Sequence, residues 1–334
     1  MNATRQLMIT IAALLFSASA HAVTIDWVTV GDPGNAAYTT GYGAVADSYQ
    51  IGKYEVTIQQ YADFLNAAAK SDLYSLYNAS MASNGNSRGI SRVGSSGSYN
   101  YSVIGSGNRP ITFVSWFDAA RFANWMQNGQ GSGDTETGAY TLNGATSGTA
   151  PAANPSAQFY IPTENQWTKA AYYKGGSTNA GYWTYATQSD ATPGNQIGSA
   201  ANQVNYWRSS TGYAVTQSTS YSSSRNYLTD VGAFTSSQSA YGTFDQSGNV
   251  WEWNDLTGTA DTDRGIRGGY WDTGNAFELS AGDRAQISAT AEDAFTGFRL
   301  ASPVAPVPEP STYAMALAGL ACGGYSMFRR RKQA

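Results

Sequence analysis

Apolar residues recur at helical spacing in three places, and each recurrence follows a residue able to cap it. After Thr57, the side chains of Ile58, Tyr61, Ala62, Leu65 and Ala68 share one face, and Gln60 is placed to reach back to the cap. After Ser115, with Asp118 three residues on, Trp116, Ala119, Ala120 and Ala123 form a second stripe that Gly129 ends. After Thr163, with Gln166 three residues on, Trp167, Ala170 and Ala171 form a third, which stops at Gly175 and Gly176. Short β-prone pieces lie before the first, Tyr49 to Tyr54, and between the second and third, Phe159 to Ile161. Polar connections such as Gly129 to Pro155 and Ser209 to Arg225 are longer than compact domains usually hold unless they carry function or are pinned. The pattern predicts one α+β domain with sparse regular structure and long ordered loops.

Two further apolar stretches lie at the ends. Arg5, the run Leu7 to Phe16 and the Ala20-His21-Ala22 site read as a secretory signal peptide over residues 1–22, so the exported chain should begin near Val23. A Pro-rich linker over 303–311 carries Pro308-Glu309-Pro310. Residues 312–334 then hold an apolar stretch, Tyr313 to Phe328, and a basic cluster, Arg329 to Lys332. Sixteen apolar residues fall slightly short of the ~20 that a helix needs to cross the hydrocarbon layer. They read as a short transmembrane helix whose basic end stays cytoplasmic. The order Pro-Glu-Pro, apolar stretch, basic cluster resembles the PEP-CTERM sorting signal of Gram-negative bacteria. That resemblance implies processing by an exosortase, transient anchoring at the inner membrane and delivery to the envelope, cell surface or extracellular matrix.

Between these ends the composition narrows the chemistry. Only 13% of the chain is charged, about half the usual share, and 13% is aromatic, so its surface is neutral polar rather than salt-bridged. Residues 23–306 hold 14 basic and 22 acidic residues, a net charge of −8 that repels phosphate backbones and argues against a nucleic-acid partner. The single His is His21 and the single Cys is Cys322, both outside that span. The working domain therefore has no imidazole and no thiol, which excludes Ser-His-Asp and Cys-His nucleophiles, disulfides, and metal sites built on His or Cys. Oxygen ligands remain, and these suit hard cations such as calcium.

Three strings in the second half carry a more specific signal: Gly248-Asn249-Val250-Trp251-Glu252-Trp253, Arg267-Gly268-Gly269-Tyr270-Trp271 and Gly297-Phe298-Arg299. With Tyr49 to Thr57, Pro110 to Trp116 and Ile161 to Trp167 upstream, the chain over residues 23–302 resembles the formylglycine-generating, or sulfatase-modifying factor, family. The fold this implies is the family's variant of the C-type lectin-like fold. Asp245, Gly248, Val250 and Glu252 can present two carboxylates and two main-chain carbonyls around one turn, a plausible structural calcium loop, and the family places a calcium ion in the corresponding stretch. The competing reading pairs Glu252 with an arginine while Trp251 and Trp253 fill the core. Asn205-Tyr206 is a weaker candidate for a second ion site. Trp253-Asn254-Asp255 is similar to the sugar-binding string of true C-type lectins, or is simply part of the family's own motif.

The family's oxidase holds copper between two cysteine thiolates, and by its register those positions are Thr273 and Glu278 here. A soft cuprous ion needs sulfur, and the superfamily's related iron enzymes use a His cluster that this domain lacks, so neither copper nor iron is expected, and no catalytic residue is assigned. The sequence points to an exported, non-catalytic module that binds carbohydrate, such as an exopolysaccharide or envelope glycan. Its ligand cleft would be formed by Trp251, Trp271, Asp272, Thr273, Glu278 and Arg284, while Arg267 and Arg299 enter buried pairs with residues such as Asp283 or Glu252. The alternative is an enzyme: a formylglycine-generating-like oxidoreductase, or a hydrolase using two of Glu252, Asp255, Asp272, Glu278 and Asp283.

Overall fold

A computed structural model describes residues 22–304. The expected signal peptide, the Pro-Glu-Pro segment and the expected anchor lie outside the described residues. In chain order the elements are β1 (Trp27–Val30), β2 (Tyr49–Gly52), α1 (Ile58–Ala68), α2 (Ser80–Ser83), β3 (Ile90–Val93), β4 (Asn100–Val103), α3 (Trp116–Gln127) and α4 (Glu164–Tyr172). They continue as β5 (Trp251–Asn254), β6 (Asp263–Arg267), a single 3-10 turn (Ala276–Leu279), β7 (Ala285–Ser288), β8 (Thr296–Gly297) and β9 (Ala301–Pro303). Regular structure is sparse, 14% helix and 18% strand, so loops must do most of the positioning.

Helices α1, α3 and α4 begin where their capping signals place them, whereas the single turn α2 has no side-chain cap and is not foreseen by the sequence pattern. Thr57, Ser115 and Thr163 each accept the main-chain N–H three residues on, and Gln60, Asp118 and Gln166 accept the cap's own N–H in return. Helix α4 stops at Tyr172, short of the glycine pair, because Tyr173 turns extended and bridges Tyr182. The piece Tyr49 to Tyr54 pairs only as far as Gly52, and Phe159 to Ile161 contributes a lone bridge from Tyr160 to Ala301.

Helices α1 and α3 meet in the main core, where Phe64, Phe122, Trp125 and Phe298 pack as tilted and edge-to-face rings. Around it stand a three-stranded sheet β1-β2-β9, the hairpin β3-β4 and a four-stranded sheet β7-β6-β5-β8. Val23, the first residue after the expected cleavage point, is buried. Its N–H donates to Gln130 Oε1 and its carbonyl accepts from Gln130 Nε2. Among the described residues no helix is long and apolar enough to cross a membrane.

Candidate functional site

The turn into β5 is held from three directions. Asp245, Gly248 and Asn249 all have positive φ. A Cβ on Gly248 would sit 2.4 Å from the Asn205 carbonyl, so only glycine fits. Asn249 then ties the turn down: its Oδ1 accepts from Thr229 N and Asn205 Nδ2, and its Nδ2 donates to Glu55 Oε1. Asn205 is thereby committed to internal bonds, its Nδ2 also reaching the Tyr227 carbonyl.

The turn delivers Glu252 to a fully buried guanidinium. Arg299 donates to Glu252 Oε2 through Nε at 2.5 Å and to Oε1 through Nη2 at 2.6 Å, and Trp167 Nε1 donates to Oε2 at 2.8 Å. Both carboxylate oxygens are thus turned to Arg299 and Trp167, where the calcium reading needs them turned to an ion. Asp245 is buried as well, with Oδ2 accepting the Gly232 N–H. Val250 is buried in the aromatic cluster around Trp271, and Gly248 donates its N–H to the Gly268 carbonyl. Burial, reinforced by Asp245, holds the Glu55 carboxyl well above the usual range. Among the described residues no three His, Cys, Asp or Glu side chains come together where they could hold a metal ion.

Two further buried pairs account for other singled-out residues. Glu164, at the first turn of α4, receives Arg267 Nε on Oε1, and Arg284 Nε and Nη2 on Oε1 and Oε2. The Tyr42 ring lies against both guanidiniums, 5.3 and 4.9 Å from its centre. Arg284 is therefore engaged at α4, where the cleft reading expects it free for ligand, and the carboxylate partner of Arg267 is Glu164, not Asp283. The string Trp253-Asn254-Asp255 points inward. Trp253 Nε1 donates to the Val114 carbonyl, Asn254 Oδ1 accepts the Leu256 N–H, and Asp255 accepts from Trp116 Nε1 and Tyr140 OH with Arg264 at 3.3 Å. Its burial excludes the lectin-like sugar contact, and desolvation pushes the Asp255 carboxyl up to about 6.

The remaining cleft residues do come together. Thr273 Oγ1 donates to Glu278 Oε2 at 2.5 Å, linking the loop after the Gly268-Gly269 turn to the 3-10 turn. Asn275 caps that turn by accepting the Phe277 N–H. A hydroxyl and a carboxylate already bonded to each other offer no sulfur, so this pair does not fit a cuprous ion. Beside it, Asp272 faces the Tyr213 hydroxyl, and burial followed by that carboxylate raises the Tyr213 phenol well above its usual range.

Trp271 is the floor of this region rather than an open platform, being 2% exposed. It stacks on Tyr227 at 5.0 Å and 13° and touches Tyr213, Tyr270 and Phe295, while its Nε1 is buried without a hydrogen-bond partner among the described residues. Trp251 is half-buried and continues the cluster through Tyr270. The outward face is supplied by Tyr221, 55% exposed and stacked on Tyr227. Sequence reasoning did not find Tyr213, Tyr221 or Tyr227; the only signal was the unusual length of the connection Ser209 to Arg225, which carries the first two and ends two residues before Tyr227.

The family model for the sulfatase-modifying factor enzyme 1-like domain matches residues 28–304, and that for the PEP-CTERM protein-sorting motif matches residues 306–332. The latter motif implies processing by an exosortase-type system and export to the envelope or surface of a Gram-negative bacterium. Solved structures similar to this chain include Treponema denticola variable protein 1, at 21% identity and TM-score 0.48, with 85% of this chain and 97% of that one covered. They also include CarF, at 20% and 0.47, covering 84% and 99%, and PvdO from Pseudomonas aeruginosa, at 17% and 0.41, covering 84% and 92%. No curated protein matches the sequence. With the match running over nearly all the described residues, the chain belongs to the sulfatase-modifying factor enzyme 1-like family and ends in a PEP-CTERM sorting motif.

Proposed function

We propose that the domain is a non-catalytic binding module displayed outside the cell, and that its ligand is a carbohydrate of the envelope or matrix. One observation carries the reading: the two positions that hold sulfur in the family's oxidase are here a threonine and a glutamate hydrogen-bonded to each other, beside an aromatic cluster. Hydroxyl and carboxylate groups satisfy sugar hydroxyls, and aromatic faces pack on the apolar faces of sugar rings. The hydrolase alternative loses Glu252 and Asp255, which are committed to Arg299 and to Arg264, Trp116 and Tyr140, and must rely on Asp272, Glu278 and Asp283.

A glycan panel screened with the full-length chain tests the proposal, with reducing-sugar release followed in parallel. Binding without release supports it; release of reducing ends favours the hydrolase, and oxidation of a cysteine-containing sulfatase peptide favours the oxidoreductase. Calcium at the turn from Asp245 to Glu252 would have to displace Arg299 from Glu252. A melting temperature measured with and without chelator tests it, a fall on chelation being the result that supports an ion there.

A further inference from the structure

The long loop that carries Tyr213, Tyr221 and Tyr227 also builds a second feature. Arg88, Arg225 and four serines, Ser218, Ser220, Ser222 and Ser224, line a polar cleft of about 430 Å³. No carboxylate lines it, although the domain as a whole is acidic. Among the described residues, Arg92, Arg109, Arg121, Arg264, Arg267, Arg284 and Arg299 are all in ion pairs. Arg88, Arg208 and Arg225 have no ion-pair partner among those residues, and of these three Arg88 and Arg225 line the same cleft.

The cleft is built rather than a chance gap between mobile side chains. Buried Asn86 donates through Nδ2 to the carbonyls of Ser222 and Arg225, at 2.9 and 2.8 Å, and accepts the Tyr221 hydroxyl on Oδ1 at 2.6 Å. Its carbonyl accepts the Tyr227 N–H, and Asn226 Nδ2 donates to the Arg88 carbonyl. The packing is tight enough that a Cβ on Gly85 would lie 2.0 Å from the Ser223 carbonyl. Both main-chain segments that carry the two guanidiniums are therefore fixed before any ligand arrives, which lowers the entropy cost of binding.

Two guanidiniums with hydroxyl donors and no competing carboxylate are the donor set for an oxyanion. The aromatic face adjoins it: Tyr227 lines the cleft, stacks on Trp271 and is covered by exposed Tyr221. We propose that this cleft is an acidic-saccharide subsite, in which Arg88 and Arg225 hold a carboxylate or sulfate carried on a sugar ring that packs against Tyr221. The inference rests on the carbohydrate reading above and specifies its ligand class as anionic.

The experiment measures binding of the full-length chain to matched neutral, uronate-containing and sulfated oligosaccharides and to free sulfate, for the wild type and for Arg88→Gln/Arg225→Gln. Melting temperature is recorded for both proteins. The expected result is binding of the acidic sugars, weakened about tenfold or more in the double variant, with neutral-sugar binding and melting temperature unchanged. The uronate and sulfate arms show which oxyanion is held. Equal affinity for neutral and acidic sugars, or full retention in the double variant, overturns the acidic subsite and leaves the carbohydrate reading standing. Binding of free sulfate with none of the sugars bound overturns the saccharide assignment, and binding of nothing in the panel overturns both readings.

Discussion

Replacing Arg299 with methionine keeps most of the side-chain volume and removes every polar contact of a fully buried group. Five hydrogen bonds disappear: two to Glu252, and one each to the carbonyls of Phe244, Gly52 and Lys53. Glu252 is left as an uncompensated buried charge with Glu55 close by, the Arg299–Glu55 approach being 3.8 Å. Breaking a buried pair from one side costs about 3–5 kcal/mol. Three carbonyls losing a charged donor add about 1 kcal/mol or more each. A loss of about 6 kcal/mol or more is between about two-fifths and the whole of the roughly 5–15 kcal/mol that a domain has. Arg299→Met should therefore show a large drop in the urea midpoint, followed by tryptophan fluorescence at neutral pH, and be unfolded outright if the domain sits at the low end of that range. Adding Glu252→Gln should restore part of the loss, since the orphaned charge goes with it. A single variant that loses less than about 2 kcal/mol would refute the claim that this pair anchors the turn.

Other expectations follow from the same contacts. Asp118 is pushed up to about 7, chiefly by burial and then by Glu292, and Asp255 up to about 6 by burial. Both folded values lie above the unfolded one, near about 3.9, so the folded state binds more protons and stability should fall as pH rises from about 4 to about 7. Urea midpoints that rise with pH across that window would contradict this, and Asp118→Asn should flatten the slope. Gly248→Ala meets both a positive φ and the Asn205 carbonyl, and should cost about 2 kcal/mol or more in the same titration. The wild type should take up no cuprous copper against a competing chelator, whereas Thr273→Cys/Glu278→Cys, which supplies two thiolates at a pair already in contact, should bind it; wild-type uptake would sink the ligand argument.

The helices were legible because capping is local: Thr57 with Gln60, Ser115 with Asp118, and Thr163 with Gln166 are three-residue signals that the fold satisfies in full. Long-range pairings carry no such signal. The Glu252–Arg299 pair stood in the sequence as one of two readings, and the contact of Arg299 with both oxygens favours it over the ion. Glu164, the shared partner of Arg267 and Arg284, lies 103 and 120 residues from them, with nothing in spacing to join them. The packing of Tyr213 and Tyr227 against Trp271 was hidden for the same reason, since the two tyrosines lie 58 and 44 residues before it in a segment whose composition is otherwise bland. Trp253-Asn254-Asp255 shows the opposite failure, a surface-like string that tertiary packing draws into the interior.

The central strand of the sheet β1-β2-β9 pairs with the first strand on one side and the last on the other, and the sorting motif begins three residues after β9 ends. A pull applied through the sorting-motif end is transmitted first to β9, which is held by three register pairs to β2 and by the Tyr160–Ala301 bridge. A force applied through that end would load this short edge strand, far along the chain from the Tyr213 and Tyr221 segment, so mechanical failure would begin at the edge of the sheet.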